Sequence, residues 1–445
     1  MISFNSAGRL ASRFNRLIMT GSILLLVIAG SVHGQIKVMN FDRLSIQNAT
    51  QIAMENNPSL SIASAGYDIS NALLRQARSN FYPVIGFTAT GSRTEGAFVL
   101  NPQFPVREQQ YNNYTAVLQV TQLVWDFGRT TSRVEANRNF TQASDFDYKA
   151  AVENVIVSVQ TAYYTYLETQ YVEKVNLETL QQAQEHLRIA QAFFNAGRRA
   201  QYDVTKAEVD VANANVSLLR SRNQVQIARL QLENAMGIKN SKDYVVTDSL
   251  SAPRFSVSLD SAVAIAIENR SEMKSAQLRL EANRNLVSST WDQNLPALSV
   301  FGSYNWNGFN FPLASRWNAG VTLSVPLFQG FAVSAQVQQN EANVAQASAS
   351  IEVTKQNIIL DVSQNYLALN EAFQRIDASN TLVRSADENL RLATGRYNSG
   401  VGSPTEITDA QLLLANARIT YIQALYDYNT SMIKLKKSMG TIREK

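Results

Sequence analysis

The 445-residue chain carries 40 Lys and Arg against 36 Asp and Glu, has no cysteine and holds only two histidines. Disulfides, thiol chemistry and the usual zinc sites are excluded, and a net charge of +4 spread along the chain gives no case for nucleic acid. His33 falls in the N-terminal leader, and His186, in a polar helical run with Gln184, Glu185 and Arg188, reads as a solvated residue.

Residues 1–34 have the order of a signal peptide. Arg9, Arg13 and Arg16 precede an apolar run from Leu17 to Ala29, and Val32-His33-Gly34 offers small-residue cleavage before Gln35. The run is too short to remain as a spanning helix, which needs about 20 apolar residues. No cysteine follows to carry a lipid, and no later stretch has 18 consecutive apolar residues. An exported chain without a membrane helix can still cross an outer membrane as strands.

Helical periodicity covers about 44–80 and stops before Tyr82-Pro83. Two strands then alternate with period two: one over about 83–92, and one in which Tyr114, Ala116, Leu118 and Val120 alternate with Thr115, Val117, Gln119 and Thr121. No proline interrupts the chain between Pro105 and Pro253, so a very long helix over about 130–195 and a returning helix over about 203–236 follow. At 1.5 Å per residue, some 65 residues reach roughly 100 Å, far beyond a globular domain. In the returning helix Val204, Ala207, Val211, Ala214, Leu218, Val225, Ala228 and Leu232 form a three-four seam, with alanines permitting close approach. Lys239 to Phe255 breaks the pattern, and Tyr244-Val245-Val246 within it has strand character.

The same order then returns. A shift of 213 pairs Ala49, Ile52, Ala53, Glu55, Asn56 and Pro83 with Ala262, Ile265, Ala266, Glu268, Asn269 and Pro296. Beyond Pro83 the shift becomes 203, bringing Tyr163, Gly197, Ala207, Met236 and Gly237 onto Tyr366, Gly400, Ala410, Met439 and Gly440. A period near 200 is too long for a solenoid unit and marks a duplicated half. The second copy predicts a helix over 259–293, strands at 297–306 and Trp317–Val325, and helices over about 333–397 and 405–438. The chain thus divides into a signal peptide (1–34), a first repeat (35–238), an inter-repeat linker or equatorial segment (239–258) and a second repeat (259–445).

Four strands of about ten residues, each with one apolar and one polar face, match the wall of an outer-membrane barrel. They cannot close one alone, because every backbone group in lipid needs a partner and bacterial barrels begin at about eight strands. A trimer supplies twelve strands, a polar lumen of Thr, Ser and Asn, and projecting helices that carry the lumen onward.

The duplicated layout resembles the TolC-like outer membrane efflux protein family over nearly all of the mature chain. The most specific signature is Tyr397-Asn398-Ser399-Gly400-Val401-Gly402-Ser403-Pro404-Thr405-Glu406-Ile407 followed by Asp409-Ala410. Trp125-Asp126-Phe127-Gly128-Arg129 and Pro326-Leu327-Phe328-Gln329-Gly330 are similar to the family's passage from strand to long helix. The resemblance implies a TolC-like duct: a membrane protein of α and β elements, a trimeric 12-stranded outer-membrane β-barrel with four strands per chain, continued by a periplasmic α-helical coiled-coil barrel. It further implies a homotrimer in outer membrane lipid, docked to a periplasmic membrane fusion (adaptor) protein and an inner-membrane transporter, as the passive conduit of an efflux or type I secretion system, with no cofactor, metal or chemistry of its own.

For the pore gate, the resemblance aligns Glu406 and Asp409 with paired acids at the periplasmic entrance, with Asp203 equivalent in the first copy. A spacing of three puts Glu406 and Asp409 on one helix face. Against this, Ser403-Pro404-Thr405-Glu406 reads as a capping box, which occupies Glu406 at the helix start. Gly197, Arg198, Arg199, Gly400, Val401, Gly402 and Ser403 form the two tips expected to dock the adaptor. Where the family often has a basic residue this chain has Gly402, while Arg198 and Arg199 stand in the first tip. Either a gate lock has moved between hairpins, or it is absent and these arginines are solvated at a helix C-terminus.

Two other classes fit the sequence less well. An enzyme lacks any phosphate-binding glycine loop, metal cluster or Ser/His/Asp arrangement. A structural coiled-coil protein of the cell envelope has no use for the aromatic girdle of Tyr82, Trp125, Trp306 and Trp317.

Overall fold

The computed structural model describes residues 43–98, 107–239 and 244–443; the expected signal peptide lies outside them. In chain order the elements are β1 (Arg43–Leu44), α1 (Ile46–Asn56), α2 (Pro58–Arg78), β2 (Val84–Phe98), β3 (Arg107–Trp125), α3 (Arg129–Asn195), α4 (Gln201–Met236), β4 (Val245–Val246), α5 (Leu259–Asn269), α6 (Ser271–Trp291), β5 (Ala297–Gly308), β6 (Ala314–Ser324), α7 (Ala332–Asn398) and α8 (Pro404–Ser438). Short 3₁₀ turns, Ser79–Phe81 and Asp292–Asn294, end α2 and α6. Helix, helix, strand, strand, long helix and returning helix therefore occur twice.

The first helix of each repeat, expected as one piece, is two. Pro58 has no N–H and disfavours helical backbone in the residue before it. Asn57 accordingly turns to ψ 120°, and its side chain caps α2 by accepting from the Ser59 N–H at 2.9 Å. Its amide also donates to the Ala235 carbonyl at 2.8 Å. The second repeat breaks at Arg270 without a proline, the guanidinium holding Asp361 at 2.5 Å and Glu272 at 3.0 Å. Each returning helix ends against its own repeat's break. Gly237 (φ 73°) and Gly440 (φ 74°) leave room there that only glycine leaves: a Cβ would lie 2.6 Å from the Asn56 carbonyl oxygen in one case and 2.9 Å from the Asn269 carbonyl carbon in the other.

The four long strands form one antiparallel sheet in the order β2-β3-β5-β6. Its register aligns Phe87, Leu118, Tyr304 and Trp317 in one cross-strand row, and Gly86, Gln119, Ser303 and Asn318 in the next. Neighbouring rows face opposite ways, so one face is apolar and the other polar. The apolar face is bare: Phe87 is 65% exposed, Trp317 75% and Val321 66%. The edges β2 and β6 have no partner strand among the described residues. β2 and β3 extend beyond the alternating cores expected from sequence, because pairing carries the ladder through polar residues such as Arg93, Thr94 and Gln110.

Each long helix, α3 and α7, has 67 residues and spans roughly 100 Å. α3 starts where the buried Asp126 carboxylate accepts from the Thr130 N–H at 2.9 Å and from its hydroxyl at 2.5 Å. The seam expected on α4 is buried through Ala207, Ala214, Leu218, Ala228 and Leu232, and α8 repeats it with Ile407, Ala410, Leu414, Ala417, Ala424 and Leu435. Two larger cores lie partway along the hairpins, one in each repeat. The first packs Ala49, Ile52 and Ala53 of α1 on Val155, Val159 and Tyr163 of α3 and Leu232 and Met236 of α4. The second repeats it with Ala262, Ala266, Val362, Leu369, Leu435 and Met439.

The segment between the repeats is bound to this level. β4 pairs in parallel with β1, and the Tyr163 hydroxyl lies 2.5 Å from the Asp248 carboxylate and 3.0 Å from the Leu44 carbonyl. Farther on, the Tyr428 hydroxyl bonds the Pro253 carbonyl and the Asn429 amide donates to Ser251 at 2.9 Å. The strand character of Val245-Val246 is realised as a two-residue strand.

Candidate functional site at the hairpin tips

Both reversals use the same backbone device. Gly197 (φ 70°) and Gly400 (φ 85°) take the left-handed conformation after α3 and α7. The N–H of Arg198 reaches the Phe193 carbonyl at 2.9 Å and that of Gly197 the Phe194 carbonyl at 2.8 Å. In the second turn Val401 and Gly400 bond Arg396 and Tyr397 in the same way, at 3.1 and 3.0 Å. This is a Schellman end, satisfying carbonyls that a helix terminus leaves open.

The tips differ in their third residue. Gly402 is packed onto α7, where a Cβ would stand 2.8 Å from the Tyr397 nitrogen and 2.9 Å from the Arg396 carbonyl carbon. No basic side chain fits there without moving backbone. Arg199 arrives from the other hairpin instead: its Nη2 donates to the Gly402 carbonyl at 2.9 Å and lies 3.5 Å from the Tyr397 carbonyl. Its guanidinium stacks 4.8 Å from the Tyr397 ring centre, and its Nε is 3.8 Å from Asp203. Of the two arginines at the first tip, Arg199 is held between hairpins and Arg198 is exposed.

The three candidate gate acids do not share one environment. Asp203 is 6% exposed and turned into the protein beside Arg199. Glu406 is exposed and completes the capping box foreseen from sequence, the Ser403 hydroxyl accepting from its N–H at 3.2 Å. Its carboxylate also meets Arg396 at 3.1 Å, a hydrogen bond that holds its pKa below the usual range. Asp409 is exposed, and among the described residues no ion pair engages it. Val401 is 70% exposed at the tip and Ser403 is half-buried by its cap.

His186 is not the solvated residue its neighbours suggested. It is 5% exposed, with its ring edge-on to Tyr397 at 5.1 Å. Ala183, His186 and Ala190 follow a spacing of three and four and are all buried; that stripe was the available signal, outweighed by the polarity of the residues between. Burial pushes the imidazole pKa below its ordinary value, against the pull of Asp210 and Asp203. Sequence reasoning also missed a second cross-hairpin tie: the Thr408 hydroxyl donates to Asp210 at 2.6 Å, and Lys206 meets the same carboxylate at 2.5 Å. A cavity of about 500 Å³ between the hairpins is lined by Glu178, Gln182, His186, Tyr397, Gln411 and Arg418 among others.

Residues 49–238 and 262–441 each match the outer membrane efflux protein family. The chain belongs to this family. Among its relatives, outer membrane protein TolC of Salmonella enteritidis is 23% identical over 419 residues, covering 90% of this chain and 82% of that protein. The probable efflux pump outer membrane protein TtgC of Pseudomonas putida is 22% identical, covering 89% and 83%. Among solved structures, a Pseudomonas aeruginosa membrane protein superposes with a TM-score of 0.79 at 22% identity, covering 89% of this chain and 93% of that one. The Campylobacter jejuni CmeC outer membrane channel gives 0.77 at 18%, covering 89% and 86%. The fold is that of a TolC-like outer membrane channel, with the sheet at the membrane and the helices in the periplasm. The family is one of efflux conduits rather than enzymes.

Proposed function

We propose that three copies of this chain form a passive duct across the outer membrane, entered at the hairpin tips and receiving its cargo from a periplasmic adaptor and an inner-membrane transporter. One observation carries the reading: an open-edged sheet, apolar on one face and polar on the other, continuous with helices of roughly 100 Å. Two bare edges cannot persist in lipid. Pairing β6 of one copy with β2 of the next removes both and turns the apolar rows outward.

Within that duct, Asp409 and, more weakly, Glu406 form an acidic ring at the entrance. Arg396 already neutralises Glu406, so Asp409 dominates. Asp203 acts with Arg199 and Tyr397 in joining the two hairpins, rather than in the ring. Gly400, Val401, Gly402 and Ser403, together with Gly197 and Arg198, present the adaptor surface, Val401 being its exposed apolar point. The boundaries proposed for the mature protein are a first repeat from 35 to 238, an equatorial segment from 239 to 258 and a second repeat from 259.

Planar-bilayer recording of the purified protein tests the duct. Discrete, cation-selective conductance is expected. A protein that enters bilayers without conducting would favour the envelope coiled-coil reading instead.

A further inference from the structure

Among the described residues the buried His186 Nε2 lacks a hydrogen-bond partner, and close by the buried Tyr397 hydroxyl and Asp203 carboxylate interact outside good hydrogen-bond geometry. They belong to one contact set. His186 on α3 packs on Tyr397 of α7, the Arg199 guanidinium stacks on the same ring, and Asp203 of α4 lies beside Arg199. The set bridges the two hairpins, which are otherwise joined here by Thr408 with Asp210 and by Arg418 with Glu178 at 2.8 Å. A polar cluster left partly unsatisfied is costly where it is buried, and its balance changes when one member changes charge.

We propose that His186 is the proton-sensitive element of a clasp between the hairpins, packed closed when neutral and loosened when the periplasm turns acid. A neutral imidazole can lie edge-on to Tyr397 with Nε2 as its unprotonated nitrogen. A protonated one adds a charge and a second N–H donor, with no acceptor in reach of Nε2 among the described residues. The charged groups around it do not supply one. On α4, Asp210 is engaged by Lys206 and Thr408, and Lys206 is itself a like charge. Asp203 is held by Arg199. On α8, Arg418 is another like charge, tied to Glu178 of α3. On the histidine's own helix, Glu185 is exposed and bonded to Arg188 at 2.7 Å.

The sign follows from where the proton binds better. The opened, hydrated histidine takes a proton near the ordinary value of about 6.5, whereas burial lowers the pKa in the closed contact. The opened state therefore binds more protons between the two values, and closure weakens as pH falls through about 6.5. By the same linkage, the ratio of closed to opened contacts falls by up to about tenfold at pH 5.5. The reading of the tips as the duct's entrance supplies the consequence, easier opening in acid, but the contact itself can be measured without it.

The chain has no cysteine, so spin labels at Arg198→Cys and Val401→Cys, in particles diluted with unlabelled chain until few hold more than one labelled copy, report the separation of the two turns. In full-length protein in detergent, the short-distance population should shrink between pH 7.5 and 5.5 and recover on return. His186→Gln, which stays neutral, should remove that response while leaving the pH 7.5 distance unchanged; His186→Phe, which keeps the ring packing, covers the case in which Gln does not fold. A wild-type distance that does not move with pH overturns the proposal, as does an equal response in the neutral variants. Neither result touches the duct, which the mass of the detergent-solubilised particle and the conductance of the Arg199→Ala variant test separately.

Discussion

The Arg199 guanidinium donates to the Gly402 carbonyl at 2.9 Å, joining the turn of one hairpin to the turn of the other. The two residues are complementary: Gly402 has no space for a side chain, and the arginine reaching its carbonyl comes from the repeat-related turn. A hydrogen bond to a charged group contributes about 1.5–3 kcal/mol when well shielded. This one is partly exposed, so about 1–2 kcal/mol is the expected loss on Arg199→Ala, a factor of roughly five to thirty. Bilayer recordings should show a higher open probability by that order. Arg199→Lys should restore little, since a single ammonium cannot both stack on Tyr397 and hold the carbonyl fork.

Asp409→Ala should reduce cation selectivity more than Glu406→Ala. Carboxylates gathered around an axis raise local cation concentration, an effect that weakens with ionic strength, but Glu406 spends its charge on Arg396 and its geometry on the cap. Reversal potentials in a salt gradient decide it. Equal effects of the two substitutions would remove the distinction between them.

Gly237→Ala and Gly440→Ala should each destabilise the protein by more than about 1 kcal/mol, because both combine positive φ with a backbone contact too close for a Cβ. Gly395→Ala is the contrast. It lies inside α7 with nothing within 4 Å of the added carbon, and should stabilise by about 0.5–1 kcal/mol. Thermal melts of the three variants test the ordering.

Glu153 is fully buried on α3, accepts from the Ser271 hydroxyl at 2.9 Å and meets Arg443 at 3.1 Å. Burial raises its pKa despite these partners. A carboxyl raised in the folded state favours folding at low pH and loses that contribution as pH rises through the folded value. Glu153→Gln should therefore raise the melting temperature at pH 8, and the gain should disappear by pH 4.5. A constant gain at both pH values would point to packing rather than charge.

Elements whose pattern is local were legible in the sequence. The alternation from Trp317 to Leu323 located β6, and Ser403 to Glu406 announced its capping box, because side chains two residues apart write the first and three residues apart the second. What depends on a partner distant in sequence was not. The break at Arg270 has no proline or glycine to announce it, and the guanidinium there is held by Asp361, ninety-one residues on, as well as by Glu272. The polar ends of β2 and β3 are strand only because they pair with each other. At the tips, the glycines at 197 and 400 were readable as turns, but the burial of His186 and the reach of Arg199 arise where two hairpins meet.

The mass of the detergent-solubilised protein tests the central claim most directly. The account predicts three chains of about 49.4 kDa each, less the leader, in a particle that aggregates when detergent is removed. A monomer that stays dispersed without detergent would contradict it, since the open edges of β2 and β6 and the bare apolar face would then have no membrane and no neighbour to cover them.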